Sequence, residues 1–494
     1  MSRSRAEWEA SADGLTICDQ AFIAGTFTPA ADEKTFPSVD PATGAVLADV
    51  AACDERDVDR AVAAARKAFD AGGWRADPAL RRRVLLRLTE LIEQHADQLA
   101  VLDSRDMGKL VTDARTFDVP AAAATFAFYA ETIDKLAGEL APAGAGAHAY
   151  VARVPLGVVG AITAWNFPLE TAAWKLAPAL AAGNAVILKP SERAPLSSLR
   201  LAELAAEAGV PEGVLNVVPG LGPVAGRALA RHPDVDALAF TGSTAVGKQL
   251  LVDSGQSNLK KVSLECGGKS PNLVFADVDD LDAAAAAACR GIFTNQGEVC
   301  SANSRLLVQH EIADELLAAL LRHAGEIRLG HPFDPEAGMG PLVDSTHADR
   351  VTGYLADLPA SAVLAGGRRR AVEGSDCYVE PTVVAVDDPG SRLLREEIFG
   401  PVLAVQLFDT EHDAVTLANE TSYGLAASVW TGNLNRALRV ADQLVAGTVS
   451  VNTVDALSLG TPFGGFKQSG HGRDLSVHAL DNYTGLKTTW ISYT

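Results

Sequence analysis

Residues 157–192 read GVVGAITAWNFPLETAAWKLAPALAAGNAVILKPSE. VVGAIT is short, apolar and rich in β-branched side chains, the pattern of a strand buried on both faces. LETAAWKLAPALAAG then spaces its apolar residues as a helix does and ends on glycine. AVILKP returns to the strand pattern. Strand, helix and strand in so short a stretch is the unit from which parallel sheets are built.

The rhythm continues outward. LSSLRLAELAAEAG reads as helix, VLNVV as strand, VAGRALARH as helix, ALAFTG as strand, TAVGKQLLVD as helix and KVSLE as strand. The fold class is therefore α/β, a parallel sheet with helices on both faces, and such sheets take ligands at the carboxyl ends of their strands. Those ends carry Asn166, Lys189, Gly220, Ser243 and Glu265. After Glu265 a second α/β alternation runs through NLVFAD, an alanine-rich helix, SRLLV, a helix from Ile312, VLAVQLF, GLAASVWT and VSVN.

Two amphipathic helices lead the chain. DERDVDRAVAAARKAFDAGG puts Val58, Ala61, Val62, Ala65 and Phe69 on one face, with Asp54 as N-cap and Gly72 with Gly73 as the stop. A second periodic run extends from Leu80 to Leu102. AGAGAHAYVARVPLG is a small-residue turn entering an exposed strand, and YTGLKTTWISY near the end is strand-like as well. Two such peripheral strands are suited to pairing with another subunit.

The 494 residues hold 42 basic and 62 acidic side chains, a net charge of −20, which excludes the basic stripe of a nucleic-acid footprint. A hydrophobic content of 48% excludes disorder as the dominant state, and the length suggests about three structural units. Cys18, Cys53, Cys266, Cys289, Cys300 and Cys377 form no C-x-x-C pair, as expected of reduced thiols in a cytoplasmic protein. No H-x-x-x-H pair occurs, and no metal site is expected. No apolar leader follows the first residues, and residues 154–169 are interrupted by Pro155, Asn166 and Pro168, so a soluble protein without a membrane span is expected.

Two glycine patterns carry little. GLGPVAG is one residue longer than a dinucleotide fingerprint and reads as a strand-to-helix turn. GSTAVGK imitates a triphosphate loop, but Gln249 stands where a magnesium-binding hydroxyl belongs. A Gly-Ser turn opening a helix remains a phosphate site for any nucleotide.

One thiol stands apart. Cys300 lies in FTNQGEVCSANSR, after a glycine and between helix and strand. Glu265 in LECGGKSPN ends a strand before two glycines, and Asn166 in WNFP ends another. A thiol nucleophile, a carboxylate base and an amide donor for an oxyanion together make acyl chemistry.

With these residues in view, the sequence resembles the NAD(P)-dependent aldehyde dehydrogenases along essentially its whole length. AWNFP, LKPSE, FTGSTAVG, LECGGKSPN, NQGEVC, EEIFGPV and PFGGFKQSGHGRD match the family's motifs in order. Stretches such as SNLKKVSLECGGKSPNLVFADVDDL are similar to bacterial gamma-glutamyl-gamma-aminobutyraldehyde and other aminoaldehyde dehydrogenases. The resemblance implies a Rossmann-type cofactor domain (1–137 and 157–265), an α/β catalytic domain (266–477) and a small β oligomerisation arm (138–156 and 478–494). It also implies a homo-oligomer, a dimer or, more in keeping with the family, a tetramer built as a dimer of dimers.

By the same resemblance, Cys300 is the nucleophile that forms a thiohemiacetal and, after hydride transfer to NAD, a thioester. Asn166 and the Cys300 N–H hold the oxyanion, and Glu265 activates the hydrolytic water. Lys175 and Asp474 match positions of a proton relay, or stand as a structural ion pair. Ile162, Trp165, Lys189, Glu192, Ser243, Glu397 and Phe399 match cofactor-binding positions. Glu192 favours NAD over NADP, since a carboxylate suits two ribose hydroxyls and repels a phosphate. Phe167, Thr171, Trp174, Thr294, Val299, Ser301, Asp455, Leu457 and Phe463 match the walls of the substrate tunnel, and Asp118 an acidic position at its mouth. Asp118 and Asp455 then favour a substrate with a cationic or donor-rich distal end, unless both are solvated rim carboxylates.

The sequence departs from the family pattern at Cys266, where an apolar residue is more usual, and at Asp474, where glutamate is. A CoA-acylating relative is disfavoured by Glu265, a non-catalytic structural relative by the pair Cys300 and Glu265, and a triphosphate hydrolase by Gln249. A broad-specificity alkyl or betaine aldehyde dehydrogenase is the alternative to the aminoaldehyde reading.

Overall fold

The computed structural model describes residues 3–493. Its first sheet has eight strands, ordered Thr26–Thr28, Ala21–Ile23, Leu215–Val217, Ala185–Lys189, Val158–Ile162, Ala237–Thr241, Lys261–Glu265 and Gly470–His471. The five from Leu215–Val217 to Lys261–Glu265 are parallel. Numbered along the chain from Val158, their spatial order is third, second, first, fourth, fifth. The chain thus reverses direction across the sheet between Val158–Ile162 and Ala237–Thr241, where doubly wound sheets bind ligands.

Alternation explains why these strands are apolar throughout. Val159, Ala161, Val186, Leu188, Ala237 and Ala239 pack into one core with the helices Pro78–Gln94, Val119–Thr132, Pro168–Ala181 and Leu196–Ala208. Val158, Ile162, Ile187, Leu238, Phe240 and Leu264 face the opposite core, with the helices Glu55–Ala71 and Thr244–Gly255. Each such fully buried valine, leucine or isoleucine contributes about 1.5–3 kcal/mol relative to exposure. Glu55–Ala71 begins at its Asp54 cap and ends at Gly72 with φ 78°.

The second sheet has seven strands, Val363–Ala365, Thr382–Ala385, Val402–Phe408, Arg305–Gln309, Pro271–Val274, Ala426–Trp430 and Thr448–Val451, all parallel except the first. Leu281–Phe293 and Ala313–Gly325 cover one face. A third sheet pairs Thr484–Ser492 with Ala147–Pro155, and Ala147–Pro155 with Glu139–Ala141, all antiparallel.

Some expectations need correction. The two helices do not lead the chain: a helix at Arg5–Asp13 and short strands at Ala21–Ile23 and Thr26–Thr28 precede them. The run from Leu80 to Leu102 is two helices, Pro78–Gln94 and Ala96–Met107, broken at His95, which leaves the α conformation at φ −102° and ψ 19°. The two peripheral strands pair first with each other, from Thr484↔Pro155 to Ser492↔Ala147. No helix among the described residues is long and apolar enough to cross a membrane.

Candidate active site

The end of Lys261–Glu265 delivers Glu265, the end of Val158–Ile162 leads through Trp165 to Asn166, and a loop after Leu281–Phe293 brings Cys300. All three line one cavity of about 510 Å³. The Cys300 loop turns through three successive left-handed residues, Asn295 at φ 49°, Gln296 at 57° and Gly297 at 72°. Gly268 lets the neighbouring backbone close on it, since a Cβ there would lie 2.4 Å from the Cys300 carbonyl oxygen.

Asn166 is buried and donates from Nδ2 to the Glu298 carbonyl at 2.8 Å. An amide carries two N–H donors, so one remains for a ligand. Glu265 is buried with neither carboxylate oxygen partnered. Burial, then the nearby Asp474, pushes its carboxyl well above the usual carboxylate range, while Lys175 and Arg473 pull the other way. Behind it Lys175 Nζ and Asp474 Oδ2 form a buried ion pair at 2.5 Å. Burial, followed by Asp455, Glu397 and Glu265, holds the Cys300 thiol well above its ordinary value.

The other end of the cavity lies at the reversal point of the first sheet. Ile162, Trp165, Lys189, Glu192, Ser243, Glu397 and Phe399 all line it. Lys189 Nζ meets Glu192 Oε2 at 2.9 Å, and although burial raises the Glu192 carboxyl, Lys189 brings it below the usual range. Ser243 caps Thr244–Gly255, accepting from the Val246 N–H at 3.4 Å. Burial pushes Glu397 up to about 7, and its Oε1 accepts from the Gly268 N–H at 3.2 Å. Thr163 Oγ1 and Thr241 Oγ1, close to these strand ends, are buried without partners. A helix N-terminus, a lysine–carboxylate pair and orphaned hydroxyls at a sheet reversal suit a dinucleotide.

Phe167, Thr171, Trp174, Val299, Ser301, Asp455, Leu457 and Phe463, the residues expected to meet substrate, also line this cavity. Trp174 and Phe463 meet edge-to-face at 5.3 Å, and Ser301 Oγ donates to Asp455 Oδ1 at 2.7 Å.

Two expected residues do not reach this wall. Asp118 is not at a tunnel mouth: it is buried in a salt bridge with Lys109, whose ammonium sits 3.9 Å from the Phe167 ring centre. Burial makes an unpaired carboxylate costly, and Lys109 is the partner that admits it. Thr294 is exposed at the end of Leu281–Phe293 and lies outside the cavity lining.

Sequence reasoning missed Glu170, which lines the cavity, and Asn295, which holds the Cys300 loop. It also missed His347, packed edge-on against Trp165 at 5.4 Å. Glu170 carried one signal, a carboxylate inside an apolar helix face; His347 carried none.

Comparison with known proteins gives the same neighbourhood throughout. A sequence model described as "Aldehyde dehydrogenase family" matches residues 27–489. The NADP/NAD-dependent aldehyde dehydrogenase PuuC of Escherichia coli is 51% identical over 488 residues, 99% of this chain and 98% of its own length. The aminoacetaldehyde dehydrogenase of Pseudomonas aeruginosa is 50% identical over 492 residues, 99% and 98% of the two chains. Among solved structures, the gamma-glutamyl-gamma-aminobutyraldehyde dehydrogenase of Burkholderia cenocepacia superimposes with a TM-score of 0.97 at 50% identity, covering 100% of each chain. A P. syringae indole-3-acetaldehyde dehydrogenase in complex with NAD+ gives a TM-score of 0.97 at 49% identity, over 99% of this chain and 100% of its own.

Proposed function

The chain belongs to the aldehyde dehydrogenase family, oxidoreductases that turn an aldehyde into its acid, and from that premise we propose that Cys300, Asn166 and Glu265 carry the reaction. The observation behind this reading is that a thiol, an amide with a spare donor and an unpartnered carboxyl, from three separate elements, line one cavity.

The Cys300 Sγ, once deprotonated, attacks the aldehyde carbon, and the carbonyl oxygen becomes an oxyanion. The second N–H of Asn166 and the Cys300 backbone N–H hold that charge, each such donor being worth about 3–4 kcal/mol. The residues lining the other end of the cavity would hold a nicotinamide dinucleotide, which would supply the hydride acceptor needed to take the Cys300 adduct to a thioester. Glu265, both oxygens free and its basicity raised, takes the proton of the water that hydrolyses this thioester. The Lys175–Asp474 pair sets the charge around Glu265.

When the dinucleotide is bound, Ile162 and Trp165 would pack its adenosine side, Lys189 and Glu192 would hold the adenosine ribose, Ser243 would meet the pyrophosphate, and Glu397 and Phe399 would hold the nicotinamide ribose. Glu192 makes NAD preferred over NADP. The substrate is an omega-amino or gamma-glutamylamino aldehyde, its alkyl part held by Phe167, Trp174 and Phe463. Support comes from Asp455 in the wall and from relatives named for aminoacetaldehyde and gamma-glutamyl-gamma-aminobutyraldehyde. The three-part division stated above and a cytoplasmic homotetramer complete the reading.

The test is NADH formation across gamma-glutamylaminobutyraldehyde, 4-aminobutyraldehyde, betaine aldehyde and hexanal, with Cys300→Ala as control. Preference for the first two, abolished in the control, is expected. A flat profile, or one favouring hexanal, replaces the aminoaldehyde reading with a generalist one.

A further inference from the structure

Among the charged groups at the substrate end, one is unaccounted for. Glu170 sits in the first turn of Pro168–Ala181, is only 6% exposed, and lines the cavity. It makes no side-chain cap with its helix and no hydrogen bond or ion pair among the described residues. Of the nearby acids, Asp118 holds Lys109 and Asp455 accepts from Ser301, while Asp103 is buried without a partner but lies outside the cavity lining. A buried carboxylate without partner is costly, and one facing a binding cavity is satisfied by what binds.

The surrounding charge defines the ligand. Asp118, Asp455 and Asp103 all act on Glu170 with negative charge, and the lysine that opposes them, Lys109, is already held by Asp118. The surroundings of Glu170 are therefore predominantly acidic. A second carboxylate or a phosphate would be repelled here, and a plain alkyl end would leave Glu170 buried and unpaired. A positive nitrogen is the group that completes the site.

We propose that Glu170 selects the substrate, its carboxylate receiving the ammonium of a short aldehyde whose free amine lies opposite the reacting carbon. This rests on the aminoaldehyde reading and narrows it: an aldehyde with a free cationic amine is preferred over one whose nitrogen is tied up in a neutral γ-glutamyl amide. Burial, then Asp118, pushes Glu170 up to about 8. A cation beside it returns the carboxyl to its ionised form at neutral pH.

The experiment compares kcat/KM for 3-aminopropanal with kcat/KM for its neutral isostere butanal, in the wild type, Glu170→Gln and Glu170→Leu. Because the ratio is taken within each variant, any loss common to both aldehydes cancels. The ratio is expected to favour 3-aminopropanal in the wild type and to fall about tenfold or more in Glu170→Gln, the scale of one charge-assisted hydrogen bond. It should fall further in Glu170→Leu. A wild-type preference that survives both substitutions overturns the role of Glu170 and leaves the aminoaldehyde reading standing. A wild type without preference overturns the selection of a free amine, and the aminoaldehyde reading is then decided by the gamma-glutamylaminobutyraldehyde arm of the earlier test.

A measurement on the unaltered protein guards against variants that fail to fold. Propylammonium at matched ionic strength is expected to compete with butanal at concentrations well below those needed for 1-propanol. Equal inhibition by the two overturns the assignment.

Discussion

Asn295 donates its side-chain amide to the backbone carbonyl of Asn166 across 3.1 Å, and the same Nδ2 reaches the Glu298 carbonyl at 3.2 Å. One buried amide thus ties Asn166, the proposed oxyanion donor, to the loop that carries Cys300, the proposed nucleophile. Asparagine suits the place twice, since it tolerates the left-handed backbone at φ 49° and carries the bridging donor. Asn295→Ala is expected to cost about 2 kcal/mol on denaturant unfolding, combining lost hydrogen bonds with backbone strain. It should also lower kcat about tenfold by loosening the two groups relative to each other. Asn295→Gly should recover part of the stability and none of the rate. If Asn295→Ala turned over as fast as the wild type, the bridge would be only structural.

The thiol is expected to be poorly reactive in the chain without its cofactor. Burial, Asp455, Glu397 and Glu265 all disfavour the thiolate. Alkylation of Cys300 by iodoacetamide should rise about tenfold per pH unit through the neutral range with no plateau below about pH 9. Deprotonation adds a negative charge, so removing a neighbouring one makes it easier. Asp455→Asn therefore moves the profile to lower pH and speeds alkylation near neutrality. A profile that stays in place or moves upward would show that Asp455 does not act on the thiol.

Cofactor preference should follow from one carboxylate. Glu192, held by Lys189 at 2.9 Å, is kept ionised in the part of the cavity proposed to take the adenosine ribose. Glu192→Gln removes that charge and frees Lys189 to meet the phosphate. The kcat/KM ratio for NADP over NAD is expected to rise about tenfold. Steady-state kinetics with both cofactors decide the point, and an unchanged ratio removes Glu192 as the discriminator.

How far the sequence could be read follows from where each signal lies. Asn166, Lys189, Ser243 and Glu265 could be brought to one place from sequence because Lys189 and Glu265 end strands, Asn166 and Ser243 follow soon after strand ends, and strand ends converge in a doubly wound sheet. Asp118 was misread because its partner Lys109 lies a helical segment away, and neither spacing nor composition announces a buried pair. Glu170 was passed over because an acid in a helix's first turn has an ordinary explanation in the helix dipole. The left-handed run from Asn295 to Gly297 left no trace beyond its glycine, since positive φ at asparagine and glutamine is imposed by tertiary contacts. The break at His95 is likewise invisible, because the apolar period continues on both sides of it.

The third sheet makes the strongest demand for a partner. In Thr484–Ser492, Leu486 is 65% and Trp490 61% exposed, and being four residues apart on a strand they share a face. Leu140 pairs with Tyr150 and Ile491 with His148, which puts Leu140, Tyr150 and Ile491 on the opposite face, exposed as well. A three-stranded sheet with large apolar side chains bare on both faces marks two interaction surfaces, as a dimer of dimers needs. Leu486→Asp together with Trp490→Asp is expected to lower the mass seen by sedimentation from tetramer to dimer or below at micromolar concentration. Tyr150→Asp should act independently through the other face. A wild-type protein that sediments as a monomer would remove the assembly from the proposed function.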